Sequence, residues 1–255
     1  MKQKVCLITG GAGFLGRKYC EFFLKKKYVV LCVDNSRKNL KYLKFNNSKN
    51  LFIYECDITK DNKVKKLFKL INKSFFVDVL INNAAIDAVP FKKKGALQKF
   101  PTNKMWDDEI NVSLKGSFFM IKFFGEEMKR RKSGSIINIG SDLSVIAPNQ
   151  NIYKSSYDNY IKPVTYSVIK HGMLGLTKYF ASLYGKSNVR VNMVSPGPIY
   201  NNQSKKLIDE LNNLIPMERL GSPKEILGLL LYLSSSESSY ITGQNILVDG
   251  GRTII

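Results

Sequence analysis

Tyr166 and Lys170 stand four residues apart in Tyr166-Ser167-Val168-Ile169-Lys170, a stretch that reads as helix. That spacing sets both side chains on one helical face, with Cβ atoms about 5–6 Å apart. A free phenol titrates near pH ~10 and is a poor base at neutrality. An ammonium fixed beside it favours the phenolate and lowers that value. Bringing it to about 7 takes roughly 4 kcal/mol of differential stabilisation, which a partly buried cation can supply. A tyrosine tuned in this way takes a proton from an alcohol or returns one to a forming alkoxide. Ser141, at the end of Ile136-Ile137-Asn138-Ile139-Gly140, is placed to hold the same oxygen by hydrogen bond. Taken alone, the Tyr–Lys pair is more simply an amphipathic helix whose Lys stem lies past an aromatic ring. The rest of the chain favours the chemistry.

The elements that must position these residues follow a regular alternation. A short apolar strand, Val5 to Thr9, runs into Gly10-Gly11-Ala12-Gly13-Phe14-Leu15-Gly16 and then a helix to about Lys27. Glycines at 10, 13 and 16 suit a tight turn, close backbone approach to a pyrophosphate and close helix packing, with the helix N-terminus receiving the negative charge. Asp34 closes the second strand, Val29 to Val33, at about the 20-residue interval expected for an acid that binds the adenosine ribose. A carboxylate there accepts from both ribose hydroxyls and repels a 2′-phosphate, which favours NAD. Arg37 and Lys38 follow closely and leave room for NADP.

The third strand, Leu51 to Glu55, ends at Cys56-Asp57-Ile58, where Asp57 is either an adenine contact or a helix N-cap. A helix to about Ser74 and a strand from Val77 to Ile81 follow. That strand exits into Asn82-Asn83-Ala84-Ala85, small residues that let the chain pass close to a cofactor. A loop-like stretch spans Asp87 to Asn103. A long helix over Lys104–Arg131 carries Asn111, a residue mildly unfavourable inside helices. A strand from Ser135 to Ile139 delivers Ser141, and a helix from about Val164 to Tyr184 carries Tyr166 and Lys170. The strand Asn188 to Val194 leads to Ser195-Pro196-Gly197-Pro198-Ile199. The polar region Tyr200 to Gly221 reads as a mobile lid. A helix near Pro223 to Ser234 and a strand around Ile246 to Val248 complete the pattern, before Asp249-Gly250-Gly251.

Strands separated by helices throughout predict an α/β fold: a Rossmann-like, doubly wound parallel sheet of about seven strands with helices on both faces, in one domain over 1–255. Ligands in such sheets sit beyond the carboxyl ends of the strands, at the switch point. Every motif above follows a strand end or starts a helix there, so Gly10 to Gly16, Asp34, Asp57, Asn83, Ser141 and Pro196 converge on one crevice.

Composition narrows the function classes. The chain has 255 residues, 44% of them hydrophobic, enough for a large core. No apolar run approaches the roughly 18 residues of a membrane span, and Met1-Lys2-Gln3-Lys4 leads straight into a strand, unlike a signal peptide. Cys6, Cys20, Cys32 and Cys56 include no Cys-x-x-Cys pair, and the chain holds one His, so no metal site is expected. Buried thiols in a reducing cytoplasm are the expected state. His171, directly after Lys170, reads as structural. Forty Lys and Arg against twenty Asp and Glu give a net charge of +20. The lysines are scattered in ones to threes, with no basic tail or arginine-rich arm, so nucleic acid is not an expected partner.

Over almost its entire length the chain resembles the short-chain dehydrogenase/reductase family. The resemblance rests on Thr9-Gly10 with the later glycines, Asn82 to Ala85, Asn111, Ile137 to Ser141, Tyr166-x-x-x-Lys170, Pro196-Gly197, and Tyr240-Ile241-Thr242-Gly243 with Val248 to Gly251. It implies that Tyr166 is the acid/base and that Ser141 positions the reacting oxygen. Lys170 holds the nicotinamide ribose, Asn111 anchors a water of a proton relay, and Ile199 packs near the nicotinamide. A homotetramer or dimer built on the long helices is also implied.

Three features depart from the compact branch of the family. The glycine spacing is that of the longer, nucleotide-sugar-modifying branch. The segment between Ser141 and Tyr166 is unusually long, so roughly Asn149 to Thr165 must fold over or beside the site and shape substrate choice. Pro-Gly-Pro-Ile is followed by Tyr200-Asn201-Asn202 and not by the Thr that often binds the carboxamide. The long segment, together with Tyr200 to Gln203, is similar to bacterial oxidoreductases of surface-sugar clusters, such as those of flagellin modification and nonulosonic-acid synthesis. The expected reaction is therefore NAD(P)-dependent interconversion of an alcohol and a ketone on a sugar, sugar phosphate or nucleotide sugar. Lys92, Lys93, Lys94, Lys154 and Lys205 are candidates for steering an anionic substrate, or simply solvated surface charge. Alternatives are a sugar-nucleotide epimerase or dehydratase, and a nucleotide- or nucleic-acid-binding protein that does no chemistry.

Overall fold

The computed structural model describes residues 3–41, 43, 48–86, 100–157 and 160–255. Lys92, Lys93, Lys94 and nearly all of the expected loop from Asp87 onward lie outside the described residues. Seven strands form one parallel sheet in the order β3-β2-β1-β4-β5-β6-β7: β1 Val5–Thr9, β2 Val29–Asp34, β3 Leu51–Glu55, β4 Val79–Asn82, β5 Gly134–Ile139, β6 Val189–Pro196 and β7 Asn245–Val248. The inner strands are buried on both faces because the crossovers cover both. Alternate residues of β1 divide between two cores: Val5 and Leu7 join Leu31, Leu80 and Ile136 on one face, while Cys6 and Ile8 join Val30, Ile81 and Ile137 on the other. This is the expected doubly wound sheet.

The sheet grows outward in both directions from the β1–β4 pair, whose register sets Cys6 beside Val79 and Ile8 beside Ile81. That pair is the switch point, and a polar staple closes it. The Thr9 hydroxyl accepts from the Asn83 and Ala84 backbone N–H groups, and Asn83 Nδ2 donates to the Thr9 and Gly10 carbonyls at 3.1 and 3.2 Å. β4 starts two residues later than its apolar run suggests; Asp78, just before it, accepts the Val5 N–H with its carboxylate at 2.8 Å.

The four thiols are buried and free. Burial pushes Cys6 well up and Cys56 to about 11. Among the described residues no metal-ligand cluster is present and no helix is long and apolar enough to cross a membrane.

Two expectations need correction. The long helix is a continuous rod over 103–131, but it contains two π-helical turns, Asn111–Lys115 and Ile121–Gly125. The Gly116 N–H reaches back five residues to the Asn111 carbonyl; such turns re-aim side chains and are frequent at functional sites. The polar 200–221 region, read from the sequence as a mobile lid, contains regular structure. It holds the helix Lys205–Asn212, N-capped by Ser204, which buries Leu207 and Leu211 against Ile152 of helix Gln150–Ser156.

Gly16 limits how closely the first helix, Phe14–Lys25, sits on the glycine turn. A Cβ there would lie 2.1 Å from the Gly10 carbonyl oxygen and 2.8 Å from Gly11 Cα. Gly16→Ala is expected to cost more than about 2 kcal/mol in urea titration. Gly228→Ala, where a Cβ meets nothing within 4 Å, should be neutral or stabilising by up to about 1 kcal/mol.

Candidate active site

The cofactor side is built on the turn after β1. Gly10 has φ +61° and its carbonyl accepts the Gly13 N–H at 3.0 Å. The helix that follows is capped by Gly13 with no side-chain acceptor, so its first-turn N–H groups are available to an anion. A Cβ at Gly10 would lie 2.8 Å from Ala84 Cα; only glycine leaves this cradle open. Gly10, Gly13, Phe14, Leu15, Asp34, Asp57, Ile58, Asn83, Ala84 and Ala85 line a cleft of about 460 Å³. Gly16 packs beneath it. The Asp34 carboxylate accepts the Ala12 N–H at 3.1 Å and the Ser36 N–H at 2.9 Å, which orients it at the end of β2. Arg37 and Lys38 are exposed and absent from the cleft wall.

Asp57 caps no helix, since the following helix starts at Asp61 with Lys60 as N-cap. Its carboxylate instead closes a turn on the Thr59 N–H and hydroxyl at 3.0 and 2.7 Å. Burial alone would raise its pKa, but the Thr59 hydrogen bonds, with help from Lys63 and Lys60, hold it below the usual carboxylate range. These residues fit a dinucleotide.

The second half of the crevice is a cavity of about 260 Å³ that contains Ser141, Tyr166 and Lys170 together with Pro196, Gly197 and Ile199. Helix Val164–Tyr184 starts after Pro163 and brings Tyr166 and Lys170 over the end of β5. Lys170 is buried. Its Nζ donates to the Ile139 carbonyl at 3.2 Å and lies 5.5 Å from the centroid of the Tyr166 ring. The helix is also tied to the sheet from within: Asn82 Nδ2 donates to Asn138 Oδ1, and Asn138 Nδ2 to the Thr177 hydroxyl, at 2.9 and 2.8 Å.

Several residues at the site were not among those singled out from the sequence. Lys162 Nζ sits 4.0 Å from the Tyr166 ring centroid. Its backbone is clamped by Gln150, which donates to the Lys162 carbonyl and accepts its N–H at 3.2 and 2.9 Å. Tyr153, Tyr157 and Tyr160 wall the cavity from the long segment before Tyr166, and Asn201 and Gln203, which belong to the Tyr200 to Gln203 run noted in the sequence, wall it from the region after β6. Asp142 and Arg252 also line it. The length of the segment announced such a wall; nothing local marked Arg252.

Asn111 does not line either cavity, although its neighbour Val112 lines the cofactor cleft. Lys154 and Lys205 stand exposed on their helices and away from the cavity wall. His171 is exposed, with Nδ1 3.0 Å from the Ser167 carbonyl, as a structural histidine would be.

A dinucleotide cradle meeting a Ser–Tyr–Lys cluster at the switch point defines a nicotinamide-dependent oxidoreductase. A family model described as enoyl-(acyl carrier protein) reductase matches residues 14–253. The 3-oxoacyl-(acyl-carrier-protein) reductase of Thermotoga maritima is 33% identical, covering 100% of this chain and 99% of its own. The NAD-dependent glycerol dehydrogenase of Listeria innocua is 31% identical over 99% and 94%. Among solved structures, a short chain dehydrogenase from Leptospira borgpetersenii with bound NAD+ superposes with a TM-score of 0.87 at 31% identity, covering 99% and 94%. The chain therefore belongs to the short-chain dehydrogenase/reductase family and is an oxidoreductase acting on CH–OH groups.

Removing the phenolic oxygen leaves the cofactor cleft intact. Tyr166→Phe is expected to reduce turnover about 10²–10⁴-fold while thermal-shift titration still reports cofactor binding.

Proposed function

We propose that this chain interconverts a secondary alcohol and a ketone on a polyhydroxylated, sugar-like substrate, with NAD as coenzyme, and serves in surface-glycan biosynthesis. The observation that carries the substrate reading is the cavity wall. Tyr153, Tyr157, Tyr160, Lys162, Asn201 and Gln203 share that wall with Ser141 and Tyr166, a set of donors, acceptors and ring faces suited to a carbohydrate. Asp34 on the cleft wall, with Arg37 and Lys38 turned away, supports NAD over NADP.

When bound, the nicotinamide ring supplies or accepts the hydride. The protein's part is proton transfer and orientation. Gly10, Gly13 and the first-turn N–H groups after Gly13 hold the pyrophosphate, Asp34 the ribose, and Asp57 and Ile58 the adenine edge. Asn83, Ala84 and Ala85 border the nucleotide's path; Pro196, Gly197 and Ile199 back the nicotinamide. Tyr166 moves the proton to or from the substrate oxygen. The Lys170 and Lys162 cations favour its phenolate, and Ser141 fixes the oxygen. Asn111, at the π turn, anchors a water that passes the proton onward.

A second reading is 3-oxoacyl thioester reduction. It is favoured by the Thermotoga maritima relative's name and by Leu143, Leu207 and Leu211 in the same wall.

Self-association uses the long helices. Val164, Val168, Tyr179 and Leu183 form one exposed apolar stripe on helix Val164–Tyr184, beside exposed Phe118, as a dimer or tetramer requires. Buried, free thiols suit a cytoplasmic enzyme.

An absorbance screen at 340 nm with NAD and NADP against polyols, sugars, sugar phosphates, nucleotide sugars and 3-oxoacyl thioesters tests the reaction. Turnover confined to thioesters would overturn the sugar reading. Asp34→Ala should raise the KM for NAD by about tenfold or more, the loss of one charge-assisted hydrogen-bonded contact, and narrow the preference against NADP. Leu183→Glu should lower the mass measured by light scattering to that of a smaller assembly.

A further inference from the structure

Every strand is entered at the amino edge of the sheet and left at the carboxyl edge, and the two edges differ in charge. The segments leading into strands are residues 3–4, 25–28, 48–50, 72–78, 129–133, 185–188 and 239–244. All but the last hold Lys or Arg, and their one acid is Asp78. Asp78 lies 3.7 Å from Arg131 and accepts the Val5 N–H, so it leaves little negative charge at this edge. The carboxyl edge is mixed, with Asp34, Glu55, Asp57, Asp142 and Asp249 at or just past strand ends. Lysines scattered along the chain are thus gathered by the fold.

Hydrogen bonds between neighbouring segments show that the row is continuous. Lys49 precedes β3, and its neighbour Asn50 accepts the Val30 N–H of β2 at 2.8 Å. Lys25, Lys26 and Lys27 lead into β2, and the Lys27 carbonyl accepts from Gln3, beside Lys4 at the start of β1. Lys73 leads into β4. Lys132 leads into β5, and its carbonyl accepts from Asn188 Nδ2 at 3.3 Å, two residues after Lys186 at the entry to β6. All of these lysines are exposed. From β3 to β6 the row spans about 24 Å at the usual strand spacing. The strands also start level: Val5 pairs with Val29, Val30 with Leu51, Cys6 with Val79 and Gly134 with Val189. Two apolar side chains stand among the cations. Leu70, 56% exposed, ends the helix Asp61–Ile71, and Phe76, 42% exposed, carries the Arg131 guanidinium 5.5 Å from its ring centroid.

A level row of cations matches a plane. Lysines supply point charges and not the bidentate fork that reads phosphates and bases, and Leu70 is no stacking platform for a base. Lysines around exposed apolar side chains are what hold a protein at an anionic headgroup layer. We propose that the amino edge of the sheet docks on an anionic lipid bilayer through these lysines, with Leu70 and Phe76 entering the interface. The crevice at the carboxyl edge then faces away from the lipid, open to cofactor and substrate.

The test is co-sedimentation of the full chain with vesicles of phosphatidylcholine and phosphatidylglycerol, against phosphatidylcholine alone, at about 0.1 M salt. The chain should pellet with the mixed vesicles only, and added salt should release it. Lys25→Gln/Lys49→Gln/Lys73→Gln/Lys186→Gln should weaken partitioning about a hundredfold or more, at about fivefold for each lysine neutralised. Lys38→Gln/Lys154→Gln/Lys206→Gln/Lys224→Gln removes the same charge from exposed positions in segments beyond the carboxyl ends. It should stay within about threefold of wild type, because charges more than a screening length from the lipid contribute little. Equal losses in the two variants would reduce the effect to overall charge and overturn the proposal, as would equal pelleting with both vesicle types. Tighter binding to a DNA duplex than to the mixed vesicles, read by fluorescence anisotropy and lost in the edge variant, would overturn it in favour of nucleic acid.

Discussion

A parallel sheet covered on both faces has all its carboxyl ends on one edge, and the rest of this molecule depends on that constraint. Hydrophobic burial on each side of β1, β4 and β5 drives the layering. The layering then leaves only that edge free for irregular backbone. The glycine turn, Asp34, Asn83, Ser141 and Pro196 meet there although more than half the chain separates the first from the last. The switch point between β1 and β4 opens the crevice. The Thr9–Asn83 staple keeps the two diverging halves in register at the mouth of that crevice.

Ser141 and the Tyr166–Lys170 pair hang from the end of β5. Ser141 follows the strand directly, and Lys170 donates to the last strand carbonyl, Ile139. The Asn82–Asn138–Thr177 chain of hydrogen bonds fixes the helix that carries Tyr166 against the sheet. A buried polar chain of this kind is costly if half-made and rigid if complete. Precision in the placement of Tyr166 and Lys170 thus comes from the best-buried part of the fold.

The outer wall of the cavity has a different origin. Helices Gln150–Ser156 and Lys205–Asn212 pack on each other through a small cluster of Ile152, Leu207 and Leu211, separate from the two main cores. Ser155 donating to Glu210 and the Ser204 N–H donating to Tyr157 add polar ties at 3.2 and 3.3 Å. A satellite cluster buries little surface and opens at lower free energy than the sheet.

Much of this was legible in the residues themselves. Periodicity, glycine placement and the strand-end motifs determined the doubly wound sheet and brought Ser141, Tyr166 and Lys170 to one crevice, because each signal is local: a turn needs φ > 0, a strand needs alternation, a helical pair needs a four-residue spacing. The π turns at Asn111 and Ile121 and the helix inside the 200–221 region had weaker local marks, since packing rather than propensity decides them. Arg252 had none. Its pairing with the buried Asp142 carboxylate exists only because the Asp249-Gly250-Gly251 turn folds the far end of the chain under β5. Residue types and spacing determined the chemistry; only the tertiary structure decided which charges stand behind it, because ion pairing between residues 110 positions apart follows spatial proximity and leaves no pattern along the chain.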